Sequence, residues 1–319
     1  MRSIKLRILL LFALLFSLAA HAEYPDHPIR LVVPFPAGSG TDTVARKLAE
    51  EMTKQLHQSI YIDNKPGAQG IIGVTTVTHS AADGYTLLLV GVTTGASNVG
   101  AFQHLPYDPL KDFTPIGLVA DSPLVLVASP DFPAKDTAGM FNYARTNPGK
   151  LTYGYGSGSA QLAGAKLMYM GNLKSVPVPY PGSPQAMTDV MGGRVNVMFV
   201  DLSPALPQIK AGTLKALGVT TKDRFPLVPD IQTIDESGAP GYELIVWFGL
   251  AGPANMPSDV TRRLSSALSA ALKDPSLVET YAHLGLAPKI TTPPQFGDFL
   301  KSEVANWGAL SKQAGIVPQ

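Results

Sequence analysis

The sequence contains no cysteine. That excludes disulfides, thiolate metal sites, a cysteine nucleophile and a lipid-anchored cysteine. It has no surplus of charge either: 25 Lys and Arg stand against 24 Asp and Glu. A balanced chain argues against nucleic acid as the main partner, because phosphate binding needs a basic excess. Beyond residue 22 the histidines are His27, His57, His79, His104 and His283, scattered and without metal-ligand spacing. The enzyme signatures searched for are missing too. There is no P-loop, and the nearest approach to a Gly-x-Ser-x-Gly elbow, residues 95–99, ends in Val99. Gly38-Ser39-Gly40 opens like a dinucleotide fingerprint and Asp63 ends the following strand pattern, but Thr43 fills the third glycine position. No run after residue 20 reaches the ~17–25 apolar residues that a membrane helix needs.

What is present begins with an address. Arg2, Lys5 and Arg7 precede thirteen apolar residues, 8–20, and Ala20-His21-Ala22 follows as a small-x-small cleavage site. This reads as a secretory signal cleaved after Ala22. Its removal leaves 22 basic against 24 acidic residues. Of 319 residues, 45% are hydrophobic and 15% charged, which suits a folded chain of about two domains. Glycine (30) and proline (28) point to many turns between short elements.

The exported part alternates strand and helix patterns. Residues 29–35, 60–63 and 85–90 read as strands, with helices over 41–56 and 71–79 between them. On the first helix Val44, Ala45, Leu48, Ala49, Met52 and Leu56 recur at helical spacing, and Arg46 reads as a surface pair. A second unit repeats the pattern: strands at 124–128, 151–155, 175–179, 195–200 and 214–219, helices at 136–146, 160–170, 183 onward and 204–211. Residues 242–248 read as a strand returning to the first unit. A helical tail follows over 258–273, 275–284 and 294–314. The expectation is two α/β domains, each a mainly parallel sheet flanked by helices, with a ligand cleft between them. The first domain takes residues 23–122 and about 247–293, and the second 123–246. The last helix, 294–319, is left unassigned.

Ligands in open α/β sheets lie beyond the carboxyl ends of the strands. The loops there are distinctive. Phe35, Ala37, Gly38, Ser39, Thr41 and Asp42 fall between a strand and a helix, and no Lys or Arg occurs from Leu31 to Ala45. Tyr155, Ser157, Gly158 and Ser159 form a second such turn, and Pro181, Gly182 and Ser183 a third. Unpaired N–H groups and the positive helix end would hold an anion by dipoles and hydroxyls instead of a formal charge. Asp201 ends a strand, where it either receives an amino or hydroxyl group or caps the next helix. Trp247, with Phe248, walls the pocket or packs at the crossing. Thr93 lies in a polar loop that is either a cleft donor or a turn. No residue is assigned a catalytic or metal role, and no cofactor is expected.

These residues together resemble the Bug-type periplasmic solute-binding proteins of tripartite tricarboxylate transporters, the TctC-like family. The resemblance spans nearly the whole exported chain. It includes Tyr24-Pro25, the run 28–35, Gly38 with Thr41-Asp42, the runs 64–68, 83–88, 105–109 and 111–115, Val178-Pro179-Tyr180, Gly182-Ser183, and the runs 209–212 and 247–250. It implies a venus-flytrap fold that closes on a small carboxylate, partly through ordered water. It also implies delivery to a two-subunit membrane permease; such a carrier works well as a monomer, and a monomer is expected. Three positions depart from the family pattern: Ser39 for a second glycine, Gln161 for a histidine, and Pro181 for a lysine or arginine. Losing that base keeps aromatic and singly charged acids beside dicarboxylates. The alternatives are a ligand sensor acting on a receptor and an exported hydrolase, the latter without a visible nucleophile–base pair.

Overall fold

The computed structural model describes residues 24–318; the signal segment and its cleavage site lie outside the described residues. The first half starts with β1 (Ile29–Val33), α1 (Gly40–Leu56), β2 (Ile60–Asn64), α2 (Ile71–Thr78) and β3 (Thr86–Gly91). Strand β1 lies between β2 and β3, parallel to both. The six apolar positions expected on α1 are all buried, and the helix stops at His57, whose φ of 56° is left-handed. A π-helical turn (Thr93–Ser97) and α3 (Asn98–Ala101) follow, where the sequence suggested a polar loop.

Strand β4 (Phe113–Ala128) is sixteen residues long and belongs to both halves. Up to Pro123 it pairs antiparallel with β9 (Ile245–Pro253), which also pairs with β3. From Leu124 it pairs antiparallel with β7 (Val197–Asp201), and from Val125 with β8 (Lys215–Val219). The sequence pattern showed only its last third. Pro115, Gly117 and Pro123 interrupt the rest, and register shifts between Pro115 and Gly117 and between Leu118 and Ala120 absorb the irregularity.

The second half adds α4 (Thr137–Thr146), β5 (Leu151–Tyr155), α5 (Gly158–Met170), β6 (Ser175–Pro179), α6 (Ser183–Met191) and α7 (Leu202–Lys210). Strand β5 is parallel to β6 and β7. Each half is thus mainly parallel, as expected, and among the described residues antiparallel pairs occur only where β4 or β9 takes part. The reason is connectivity: β4 carries the chain out of the first half and β9 carries it back, so the two run in opposite directions side by side.

The chain ends with α8 (Ser258–Ala271), α9 (Pro275–His283), the short β10 (Ala287–Pro288) on β4, and α10 (Pro293–Gln313). Helix α10 packs on the π-helical turn, on β4 and on α3, and touches α5. Among the described residues no helix is long and apolar enough to cross a membrane.

Candidate functional site

Three strand-to-helix turns and the π-helical turn meet between the two halves. The β1–α1 turn is held from behind. Ser39 caps α1, its Oγ accepting from the Asp42 N–H at 3.2 Å. The Asp42 carboxylate in turn accepts from the Gly38 N–H, the Arg46 Nε and the Asn64 Nδ2, each at 2.9 Å. Asn64 Nδ2 also donates to the Phe35 carbonyl at 3.0 Å. Burial raises the Asp42 pKa, but these donors outweigh it and hold the carboxyl below its ordinary value. Asp42 is thus a brace for the loop, with both oxygens occupied, and not a group facing the cleft.

In the second half Ser157 caps α5, its Oγ accepting from the Ala160 N–H at 3.3 Å and lying 3.1 Å from Ser159 Oγ. The β6–α6 turn is capped by Gly182 and not by Ser183, which is the first helical residue. The two turns touch backbone to backbone: a Cβ on Gly156 would lie 2.1 Å from the Gly182 carbonyl carbon.

The halves are closed on each other. Thr93 Oγ1 accepts from the Ser159 N–H at 3.2 Å, and Gln69 Nε2 donates to Gln161 Oε1 at 3.3 Å. Three glycines allow the approach. A Cβ on Gly40 would lie 2.4 Å from Asp201 Oδ2, one on Gly158 2.7 Å from Ser97 Oγ, and one on Gly182 2.6 Å from Pro36 Cγ.

The space left between them is a narrow cavity of about 30 Å³. Nine of the expected site residues line it: Phe35, Ser39, Thr41, Thr93, Ser157, Ser159, Ser183, Asp201 and Trp247. Seven do not. Asp42 is committed as above. Ala37, Gly38 and Pro181 lie on the exposed outer side of their turns or, for Gly38, offer the N–H to Asp42. Gly158 and Gly182 are spent on the cross-cleft contacts. The Tyr155 ring packs towards Tyr153, 6.1 Å between centroids. Phe248, the aromatic considered with Trp247, also lines the cavity, as do Gly91, Val92, Gly156 and Val246. The last four lacked a polar signal; their position at the ends of β3, β5 and β9 was the available clue. Gln69, which meets Gln161, was not foreseen. It follows the left-handed Ala68 and has φ 51° itself.

None of the described lining residues is Lys, Arg or His. The cavity is rich in hydroxyls and helix N-termini, with an aromatic wall. Trp247 is fixed by its indole N–H, which donates to Glu303 Oε2 at 2.7 Å; Trp307 donates to the same oxygen at 2.9 Å.

Asp201 is the one charged side chain on the lining. It faces Leu124 across β4 and β7, at the point where β4 changes partners. It occupies the N-cap position of α7, yet its side chain makes no capping bond. The sequence contributes to this: the third helical residue is Pro204, which has no N–H to donate, so only the Ser203 N–H remains as a capping donor. Burial pushes the Asp201 carboxyl up to about 6, opposed only by its own backbone N–H.

Among the described residues no group of His, Asp and Glu is arranged to hold a metal ion. The family model "Tripartite tricarboxylate transporter family receptor" matches residues 44–316. A UPF0065 protein from the TAR-I ttuE-ttuC' intergenic region of Agrobacterium vitis is 36% identical over 93% of this chain and 87% of its own. The solved structure described as R. palustris Rpa4515 with adipate superposes with a TM-score of 0.91 at 32% identity, covering 93% of this chain and 100% of that one. MatC (Rpa3494) from Rhodopseudomonas palustris with bound malate gives 0.85 at 32%, covering 90% and 99%. The family is one of transporter receptors, binding proteins and not enzymes. With the match covering most of its length, this chain belongs to the tripartite tricarboxylate transporter receptor (TctC, or Bug) family of solute-binding proteins.

Proposed function

We propose that this chain captures a small organic carboxylate in the cavity between its halves, in the periplasm, and delivers it to a two-subunit membrane permease. The observation that carries this reading is the convergence of three helix starts, α1, α5 and α6, with the hydroxyls of Ser39, Thr41, Ser157, Ser159 and Ser183 and no cation among the lining residues. Such a site suits a carboxylate held by N–H and O–H donors. Relatives solved with adipate and with malate support the ligand class.

The signal segment is removed after Ala22 and the carrier acts as a monomer. The two domains are residues 23–122 with about 247–293, and residues 123–246. The tail goes with the first domain, a reading supported by the packing of α10 on first-half elements. The hinge is the pair of crossings at Pro123–Leu124 and just before Ile245. Ligand shifts an open–closed equilibrium by its preference for the closed form. Calorimetric titration of the chain from residue 23 with malate and adipate, paired with small-angle scattering, tests this. Saturable binding with a more compact particle supports it, and binding without compaction contradicts the hinge.

A further inference from the structure

One acidic side chain on the cavity lining, Asp201, takes no part in the loop bracing. It is only partly exposed, it lines the cavity, and among the described residues it accepts no hydrogen bond from another side chain. Pro204 removes one of the two backbone donors that its position would otherwise offer. A carboxylate largely withdrawn from water gains from a donor, and no side chain of the protein supplies one.

No neighbouring charge serves it. On α1 the nearest acid is Asp42, committed to Gly38, Arg46 and Asn64. On β4 Asp121 pairs with Lys289 at 3.0 Å. Beside β9, Glu303 of α10 accepts from both indoles. Helix α7 carries its lone charge, Lys210, at the far end. The β5–α5 and β6–α6 turns bring only hydroxyls and backbone to the lining.

Resting on the carboxylate-capture reading above, we propose that Asp201 selects the ligand class: a carboxylate that also carries a hydrogen-bond donor, a hydroxyl or an ammonium, which Asp201 accepts. One end of the ligand meets the helix starts and the donor meets Asp201. A plain dianionic diacid brings a second negative charge to a cavity without a cation, and binds only by taking up a proton from solvent. That proton is shared between its distal carboxylate and Asp201. Because burial already places Asp201 near the top of the carboxylate range, the plain diacid loses affinity by about tenfold per pH unit once the medium is above both groups. An amino diacid, whose ammonium offsets the second charge, does not; a hydroxy diacid shares that pH dependence and differs from its plain partner by the hydrogen bond to Asp201.

The test is calorimetry of the wild-type chain and of Asp201→Asn and Asp201→Ser with matched acids: succinate, malate and aspartate, then glutarate, 2-hydroxyglutarate and glutamate, from pH 6 to 8.5. The expected result at pH 8.5 is a preference of about tenfold or more for a hydroxy or amino acid over its plain partner in the wild type. Both variants lose that preference while keeping the wild-type melting temperature within a few degrees. Plain diacids binding as tightly at pH 8.5 as at pH 6 overturn the inference and leave carboxylate capture standing. So does an undiminished preference in both variants. Silence of every acid in the set overturns the carboxylate reading itself, and this inference with it.

Discussion

The cross-cleft glycines make closure testable with one methyl group. Gly158 is the first residue of α5, with a helical environment that alanine suits. A Cβ there would lie 2.7 Å from Ser97 Oγ, 2.9 Å from Gln69 Oε1 and 3.2 Å from Thr93 Cγ2. All three neighbours belong to the first half, and Ser97 is 2% exposed, so it has little room to retreat. Overpacking of this kind costs about 1–3 kcal/mol. The cost falls on the closed form alone, because separating the halves removes the neighbours. Gly158→Ala should therefore weaken ligand affinity by about 5- to 150-fold, with the unliganded melting temperature unchanged or raised. Titration calorimetry reads the first and thermal unfolding the second. Gly308→Ala on α10, where a Cβ would meet nothing within 4 Å, is the control and should bind as wild type. Unchanged affinity in Gly158→Ala would refute the closed geometry as the binding form. An affinity loss matched by an equal loss of unliganded stability would refute its assignment to closure.

Further outcomes follow from the same geometry. Ser157→Ala and Thr41→Ala should each weaken binding by about 0.5–1.5 kcal/mol, read by calorimetry, through loss of a hydroxyl on the lining. Asp42→Ala strands the Gly38 N–H and the Asn64 amide and should cost about 1–3 kcal/mol of stability. Because the folded pKa of Asp42 is depressed, its stabilisation is present above the unfolded value of ~3.9 and is lost as pH falls through the folded one. The melting-temperature gap between wild type and Asp42→Asn should thus be largest near neutrality and vanish in acid. The chain has two tryptophans, and only Trp247 lines the cavity. The ligand-induced change in tryptophan emission should persist in Trp307→Phe and disappear in Trp247→Phe.

Most elements were legible because local chemistry agreed with the global arrangement. The spacing of Val44, Leu48 and Met52 with Ser39 ahead of them defined α1, and the strands 151–155 and 175–179 match β5 and β6 residue for residue. The crossing strands were the hard part. Pro115, Gly117 and Pro123 hid two-thirds of β4, and Gly249, Gly252 and Pro253 hid the end of β9, which the pattern placed at 242–248. Long-range pairing supplies what local propensity lacks there. In the site, the loops were visible from their small residues, whereas direction was not. Sequence could place Asp42 beside the cleft but could not show Arg46 and Asn64 turning its carboxylate away. For Asp201, both capping and cleft-facing roles were open. Pro204, two residues past Leu202, removes one of the two capping donors, a signal against the cap that is readable in the sequence once the helix start is known.

The central claim is capture of a carboxylate, and thermal shift of the chain from residue 23 onward tests it most directly. The panel is mono-, di- and tricarboxylates, hydroxy, amino and aromatic acids, each beside its carboxamide. A ligand at 100 times its Kd stabilises by about 2.7 kcal/mol, several degrees for a chain of this size. The account predicts a shift from at least one acid and none from the matching amide. A shift from amides, with every free acid silent, would contradict it.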